Sequence, residues 1–291
     1  MRVLPLLMAT LVVNVLPIVT ATSSVTLSLD GGYDSNLLNT PVNNENLSDS
    51  VLSASLAAQN LWLLKPRVGL VAALQGSYRR PVEYDALASA EMGGSFSVMV
   101  QPSQGFLAGW YRVSVAGNYH WQAFENFRSN QKSISLARFQ HLTDKITWSA
   151  TISAQDQMYS RQPVLDGSRF DAGMAVAWRA SPRWLISAQF SAGEGDFASS
   201  YFGSLSRWVP ADPVNDDWFW DDDLYALTGD EWYTYRLRSP FINTQLGGNV
   251  RLSQALALDV DYRYWRMSGA ELVYDRHIWR AGLIYRWSNL F

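Results

Sequence analysis

The densest group of potentially reactive side chains lies in "DPVNDDWFWDDDLYALTGDEWYTY". Its eight carboxylates are Asp212, Asp216, Asp217, Asp221, Asp222, Asp223, Asp230 and Glu231, with no Lys or Arg among them. Clustered carboxylates offer the hard oxygen ligands that suit Ca²⁺, although no complete D-x-D-x-D-G loop is present. Trp218 and Trp220 beside those acids also suit contact with a saccharide or a protein partner. The third reading is an acidic surface loop that folds over an opening or meets divalent-bridged lipopolysaccharide. Loops of this length are rarely idle, which favours a lid or partner role.

A second set is scattered. Arg112, Arg169, Asp171, Arg251, Asp259, Asp261, Arg263, Arg280 and Arg286 stand singly among small polar residues. Acid and base on neighbouring strands brace a wall; around a pore they set a field that selects solutes by charge. Both uses stay open. Catalysis is poorly provided for. Of the three histidines, His120 has no nucleophile nearby, His141 adjoins a short turn, and only His277 has an acid close by, Asp275. Without a nucleophile–base–orienter set, no enzyme activity is expected. No metal-ligand spacing, phosphate-cradling glycine loop or basic nucleic-acid patch is present.

The elements that must position these residues alternate with period two. In "KITWSATISAQ", Ile146, Trp148, Ala150 and Ile152 alternate with Thr147, Ser149, Thr151 and Ser153. "RFDAGMAVAW", "WLISAQF" and "LALDVDYRYW" repeat the pattern. Such alternation predicts strands with one apolar and one polar face. Short turns at 65–67, 102–105, 143–145, 181–183 and 253–254 join them in pairs, with longer polar segments at about 35–50, 80–86, 122–131, 158–168, 196–238 and 267–276. Five hairpins, a first strand at about 24–34 and a last at 277–291 make twelve strands, with ten to fourteen compatible with the spacing.

The expected fold is all-β: an antiparallel, up-and-down transmembrane β-barrel, apolar outside and polar within. Closure satisfies every backbone polar group without water, as lipid requires. Trp62, Trp148, Trp178, Trp184 and Trp287 fall beside the short turns or the C-terminus, and Tyr78, Tyr119, Trp121 and Tyr264 near the longer loops, as two interfacial girdles would. The composition agrees: 48% hydrophobic residues and 13 Trp, yet beyond residue 21 no run approaches the roughly 20 apolar residues of a membrane helix. The absence of cysteine excludes a disulfide framework. The start, "MRVLPLLMATLVVNVLPIVTATSS", reads as a signal peptide over 1–21, cleaved after Ala21, leaving 22–291 as a single barrel domain.

Two resemblances follow. The last strand, with Tyr285 and Trp287 before a terminal Phe291, resembles the strand that the barrel-assembly machinery reads in Gram-negative outer-membrane proteins. It implies a bacterial outer-membrane location, with lipid and lipopolysaccharide as surroundings and both termini in the periplasm. "LDGGYDSNLLNTP" resembles the first barrel strand of the surface lipoprotein assembly modifier and exopolysaccharide-export families, whose usual helical repeat domain is not found before it. The expectation is a monomeric, porin-like passage for a polar solute, saccharide or extended polymer, or the membrane part of an export system with a periplasmic partner. The alternatives are a plugged barrel whose loops bind a partner or Ca²⁺, and a lipid-modifying enzyme. Calcium at 212–231 is the only cofactor the residues suggest.

Overall fold

The computed structural model describes residues 20–40, 47–123, 127–202, 218–229, 232–269 and 272–288. Its strands are β1 (Thr20–Asp34), β2 (Asp49–Lys65), β3 (Val68–Pro81), β4 (Ser89–Val100), β5 (Trp110–Gln122), β6 (Ser129–His141) and β7 (Ile146–Tyr159). They continue as β8 (Gly167–Trp178), β9 (Trp184–Phe202), the short β10 (Trp218–Trp220), β11 (Trp232–Arg251), β12 (Leu256–Gly269) and β13 (Leu272–Ser288). One helix, α1 (Asp222–Thr228), lies between β10 and β11. From β1 to β9 and from β10 to β13 each strand pairs antiparallel with the next, β9 pairs with β11 past the intervening segment, and β13 returns to β1. The result is a closed barrel of twelve strands, with β10 added beside the top of β11.

Alternation places the side chains as expected. On β5, Tyr111, Val113, Val115 and Tyr119 are exposed on the outer face, while Arg112, Ser114, Asn118 and His120 are partly buried on the inner one. Outward Met92, Phe96, Ile134, Ile152, Met174 and Leu283 continue an apolar belt around the wall. At the short-turn end Arg138 lies over Tyr111 and Trp148, with its guanidinium 5.7 and 5.6 Å from the ring centres. A cation resting on rings at this level suits the headgroup zone.

Three expected boundaries are corrected. The connection after Val100 runs to Trp110, so it is longer than the 102–105 turn. The expected loop at 267–276 is mostly strand: β12 and β13 pair up to Gly269 and Leu272. Much of 196–238 is also strand, since β9 reaches Phe202 and β11 starts at Trp232. The physical reason is an inversion of polarity. A membrane strand needs only about 9–11 residues, whereas β9 has 19 and β11 has 20. Beyond the apolar belt the outer face turns charged, at Glu194, Arg238 and Arg266, while Phe197, Leu237, Phe241 and Met267 on the inner parity are buried. Polar residues that read as loop are the water-facing side of a protruding wall.

The signal-peptide reading falls on residues 1–19, outside the described part, and on the first two residues of β1, which begins at Thr20.

Inward glycines give the wall room for large side chains. A Cβ on Gly32 would sit 2.1 Å from the Trp279 carbonyl oxygen, and one on Gly195 would sit 2.7 Å from Arg169 Cγ. Gly195 lies opposite Arg169, and Gly32 opposite Arg280.

Candidate functional site

The interior has three levels. At the short-turn mouth, Arg251 ends β11 and Arg286 lies near the end of β13. Turn residues Arg179 and Arg183 join them around a recess of about 370 Å³, in which Asp259 is the only acid among the described residues. The turns are stitched to the strands, since Arg251 N donates to the Arg183 oxygen at 2.8 Å and Arg286 N to the Ala255 oxygen at 2.8 Å. Asp259 accepts from Asn249 Nδ2 at 3.1 Å and lies opposite Gly282. Arg286 does not brace β12: it stands opposite Thr26 and has no acidic partner among the described residues. Register decides this, because Arg286 lies below the last β12–β13 pair while Arg280 faces Asp261 directly.

In the middle, Arg280 Nη2 donates to Asp261 Oδ1 at 3.0 Å. Arg280 Nε stands 3.0 Å from Asp261 Oδ2 but is too poorly aligned for a second hydrogen bond. Arg263 reaches Gln245 Oε1 at 3.3 Å, a weak contact that leaves its Nε unpartnered. Back toward the short turns, Arg112 rests on the Phe139 ring at 4.6 Å, and its side chain makes no hydrogen bond among the described residues. Asp171 accepts from Ser153 Oγ at 2.6 Å, and Asp30 from Ser28 Oγ and Ser53 Oγ at 2.8 and 3.2 Å.

At the long-loop level Asp34, fully buried, accepts from Arg79, from Arg276 Nε at 2.9 Å and Nη2 at 2.6 Å, and from the Asn36 backbone N–H at 3.1 Å. Arg276 Nη1 also donates to Asn39 Oδ1 at 3.0 Å. The loop after β1 then reaches β9, where Ser199 Oγ donates to the Asn39 carbonyl at 2.6 Å and Ser200 N to the Leu38 carbonyl at 3.2 Å. Strands β1 and β9 are not neighbours, so this loop crosses part of the mouth. Leu38 and Leu47 from it, Leu87 after β3, Leu224 of α1 and Trp232 of β11 form one buried cluster. It acts as a packed lid.

Below the lid, β9, β11, β12 and β13 contribute Phe197, Tyr235, Leu237, Phe241, Met267 and Tyr274 to a second cluster, with Trp265 against it. Phe241 and Trp265 stack at 5.0 Å with planes 3° apart. Sequence reasoning placed most rings outward and missed this inward set. The signal was present: Trp265 and Met267 continue the parity of Asp259, Asp261 and Arg263.

The acidic segment is only partly described. Asp212, Asp216, Asp217, Asp230 and Glu231 lie outside the described residues, as do the side chains of Trp218, Trp220 and Asp223. Asp221 is buried as the N-cap of α1, accepting from Leu224 N at 3.1 Å through one oxygen and from Thr234 Oγ1 at 2.8 Å through the other. Asp222 is exposed on the first turn. Among the described residues no group of three acidic or His side chains could hold a metal ion.

The histidines have other partners. His277 Nδ1 shares a hydrogen bond with Tyr262 OH at 2.8 Å, whereas Asp275 accepts from Tyr264 OH at 2.9 Å, so the expected acid–base pair does not form. His141 is stacked on Phe106 and bonded to Thr147, and His120 lines the lumen. At the last strand, Tyr285 and Trp287 lie outward with ring centres 4.3 Å apart, and Phe291 lies outside the described residues.

The sequence matches no protein-family model and no curated protein. In architecture the chain is similar to an outer membrane channel from Pseudomonas putida F1, with a TM-score of 0.54 over 94% of this chain and 97% of that one at 11% identity. It also aligns with the NanC porin, at a TM-score of 0.48 over 89% of this chain and 98% of that one with 9% identity. The first likeness establishes that the chain has the fold of an outer-membrane β-barrel.

Proposed function

We propose that the barrel is a porin-like passage for polar solutes across the outer membrane, with a preference for anions. One observation carries the reading: the lumen's charges are unequally engaged. Among the described residues Arg112, Arg169, Arg251 and Arg286 have no hydrogen bond or ion pair through their side chains, whereas Asp34 and Asp261 are ion-paired and Asp30, Asp171 and Asp259 accept hydrogen bonds from neutral Ser or Asn. Glu91, opposite His120, is an inward carboxylate with no side-chain hydrogen bond or ion pair among the described residues. Cations left unpaired at the short-turn end and at the long-loop end attract anions at both ends of the lumen. In this reading the short turns and both termini face the periplasm, residues 1–21 are the export leader, and Phe291 completes the assembly strand. The outer membrane channel of similar architecture supports it as analogy.

The test is planar-bilayer recording in a KCl gradient. Stepwise currents with an anion-selective reversal potential are expected, and replacing Arg112, Arg251 and Arg286 together by Gln moves that potential toward the cation side. Absence of stepwise current, or cation preference in the unaltered protein, overturns the proposal. Absent current would favour the plugged-barrel alternative, for which the packed lid is the specific support.

A further inference from the structure

Beneath the lid is a cavity of about 220 Å³. The loop after β1 forms one side of it, through Leu38 and Asn39, and the barrel wall forms the other, through His120, Gln157, Tyr159 and Arg169. Arg169 is the unusual member. Its guanidinium lies 4.3 Å from the Phe197 ring centre, 5.4 Å from that of Trp265 and 5.6 Å from that of Phe241. Rings hold the cation by face contact, yet none accepts its N–H hydrogens. No carboxylate pairs with it among the described residues, its Nε is buried without a partner, and nearby Asp171 is taken by Ser153. A buried cation left this way is costly unless a ligand completes it.

From this geometry we infer that Arg169 and its aromatic bed form a binding site, inside the passage, for a small carboxylate-bearing ring solute such as a sugar acid. The guanidinium edge offers the fork that matches a carboxylate with two parallel hydrogen bonds. Phe197 gives an apolar face to the ring of the solute, and Gln157, whose amide nitrogen donates to Ser129 Oγ and Tyr159 OH at 3.0 Å each, presents its oxygen for a hydroxyl. The cavity is the size of one small ring, so the site holds a single unit. Gly195 belongs to the device, because any side chain there would collide with the Arg169 stem. The inference deepens the proposed passage by naming the solute class that pauses in it.

Binding is measured by titration calorimetry on the detergent-solubilised full barrel, with D-glucuronate and its neutral counterpart D-glucose as probes. Glucuronate binds at least about tenfold more tightly than glucose, the scale of a charge-assisted hydrogen bond inside a protein. Arg169→Gln abolishes that preference, and Arg169→Lys loses most of it because an ammonium lacks the planar fork. Arg138→Gln, on the outer face, binds as the unaltered protein does. Heat-modifiable migration on gels confirms that each variant is folded. Equal binding of the two sugars, no binding of either, or an unaffected Arg169→Gln variant overturns the site. The assay needs no current, so a barrel that conducts without binding refutes this site alone, and one that binds without conducting refutes the passage alone.

Discussion

Replacing Asp34 by Asn tests how the lid is anchored. The substitution keeps the shape of the side chain and removes one negative charge shared by Arg79 and Arg276. Breaking a buried ion pair by removing one partner costs about 3–5 kcal/mol when both groups are fully buried. Here Asp34 is 0% exposed, but the side chains of Arg276 and Arg79 are 19% and 36% exposed. Water recovers part of the loss at Arg79, so the expected cost is about 2–4 kcal/mol. Some of that cost is local. Arg276 also holds Asn39, and Asn36 donates to the Thr40 and Asp275 carbonyls at 2.8 and 3.1 Å, so the loop after β1 loosens with Asp34. The assay is guanidinium unfolding of the barrel in lipid vesicles, followed by tryptophan fluorescence, in a double-mutant cycle with Arg276→Gln. The same protein in a planar bilayer should spend longer in the open state and prefer anions more strongly, because two arginines now face the lumen with one carboxylate fewer. A loss below about 0.5 kcal/mol, with coupling to Arg276 near zero, would refute the anchoring argument.

Three further outcomes follow from the packing. Leu224→Ala empties the centre of the lid cluster, where Leu224 is fully buried; a cavity loss of about 2–5 kcal/mol should appear as faster hydrogen exchange in α1, with the barrel amides unchanged. Asp221→Ala removes the cap of α1 and leaves Thr234 Oγ1 without its acceptor, at about 1–3 kcal/mol. That loss should be the same with and without a calcium chelator; a loss seen only when Ca²⁺ is present would return Asp221 to metal binding. Gly32→Val drives a side chain into the Trp279 carbonyl at the β1–β13 seam, so the folded, heat-modifiable species should fall sharply on gels.

The strand-by-strand plan was legible because lipid imposes one rule on every residue it touches. Outward Val113, Ile152 and Met174 had to be apolar, their neighbours Arg112, Ser153 and Gly173 were free to be polar or small, and the period of two survived in the sequence. The turns at 65–67, 143–145, 181–183 and 253–254 were legible for the same reason, as breaks in that period. Above the bilayer the rule reverses. Glu194, Arg238 and Arg266 face water while Phe197, Leu237 and Met267 pack inward, so a reading tuned to lipid took those stretches for loops.

The charged residues of the interior divide in the same way. Their inward parity followed from sequence, but their partners depend on register. A shift of two residues would place a different acid opposite Arg280 and would change which arginines remain free. Nor does local pattern reveal that the loop after β1 reaches β9, since that contact joins segments about 160 residues apart. What the sequence alone determined was the barrel, its two faces and its closing strand, because these arise from alternation along each strand. What only the tertiary structure decided was the lid, the inward aromatic bed and the unpaired Arg169, because each is made by side chains that closure of the barrel brings together.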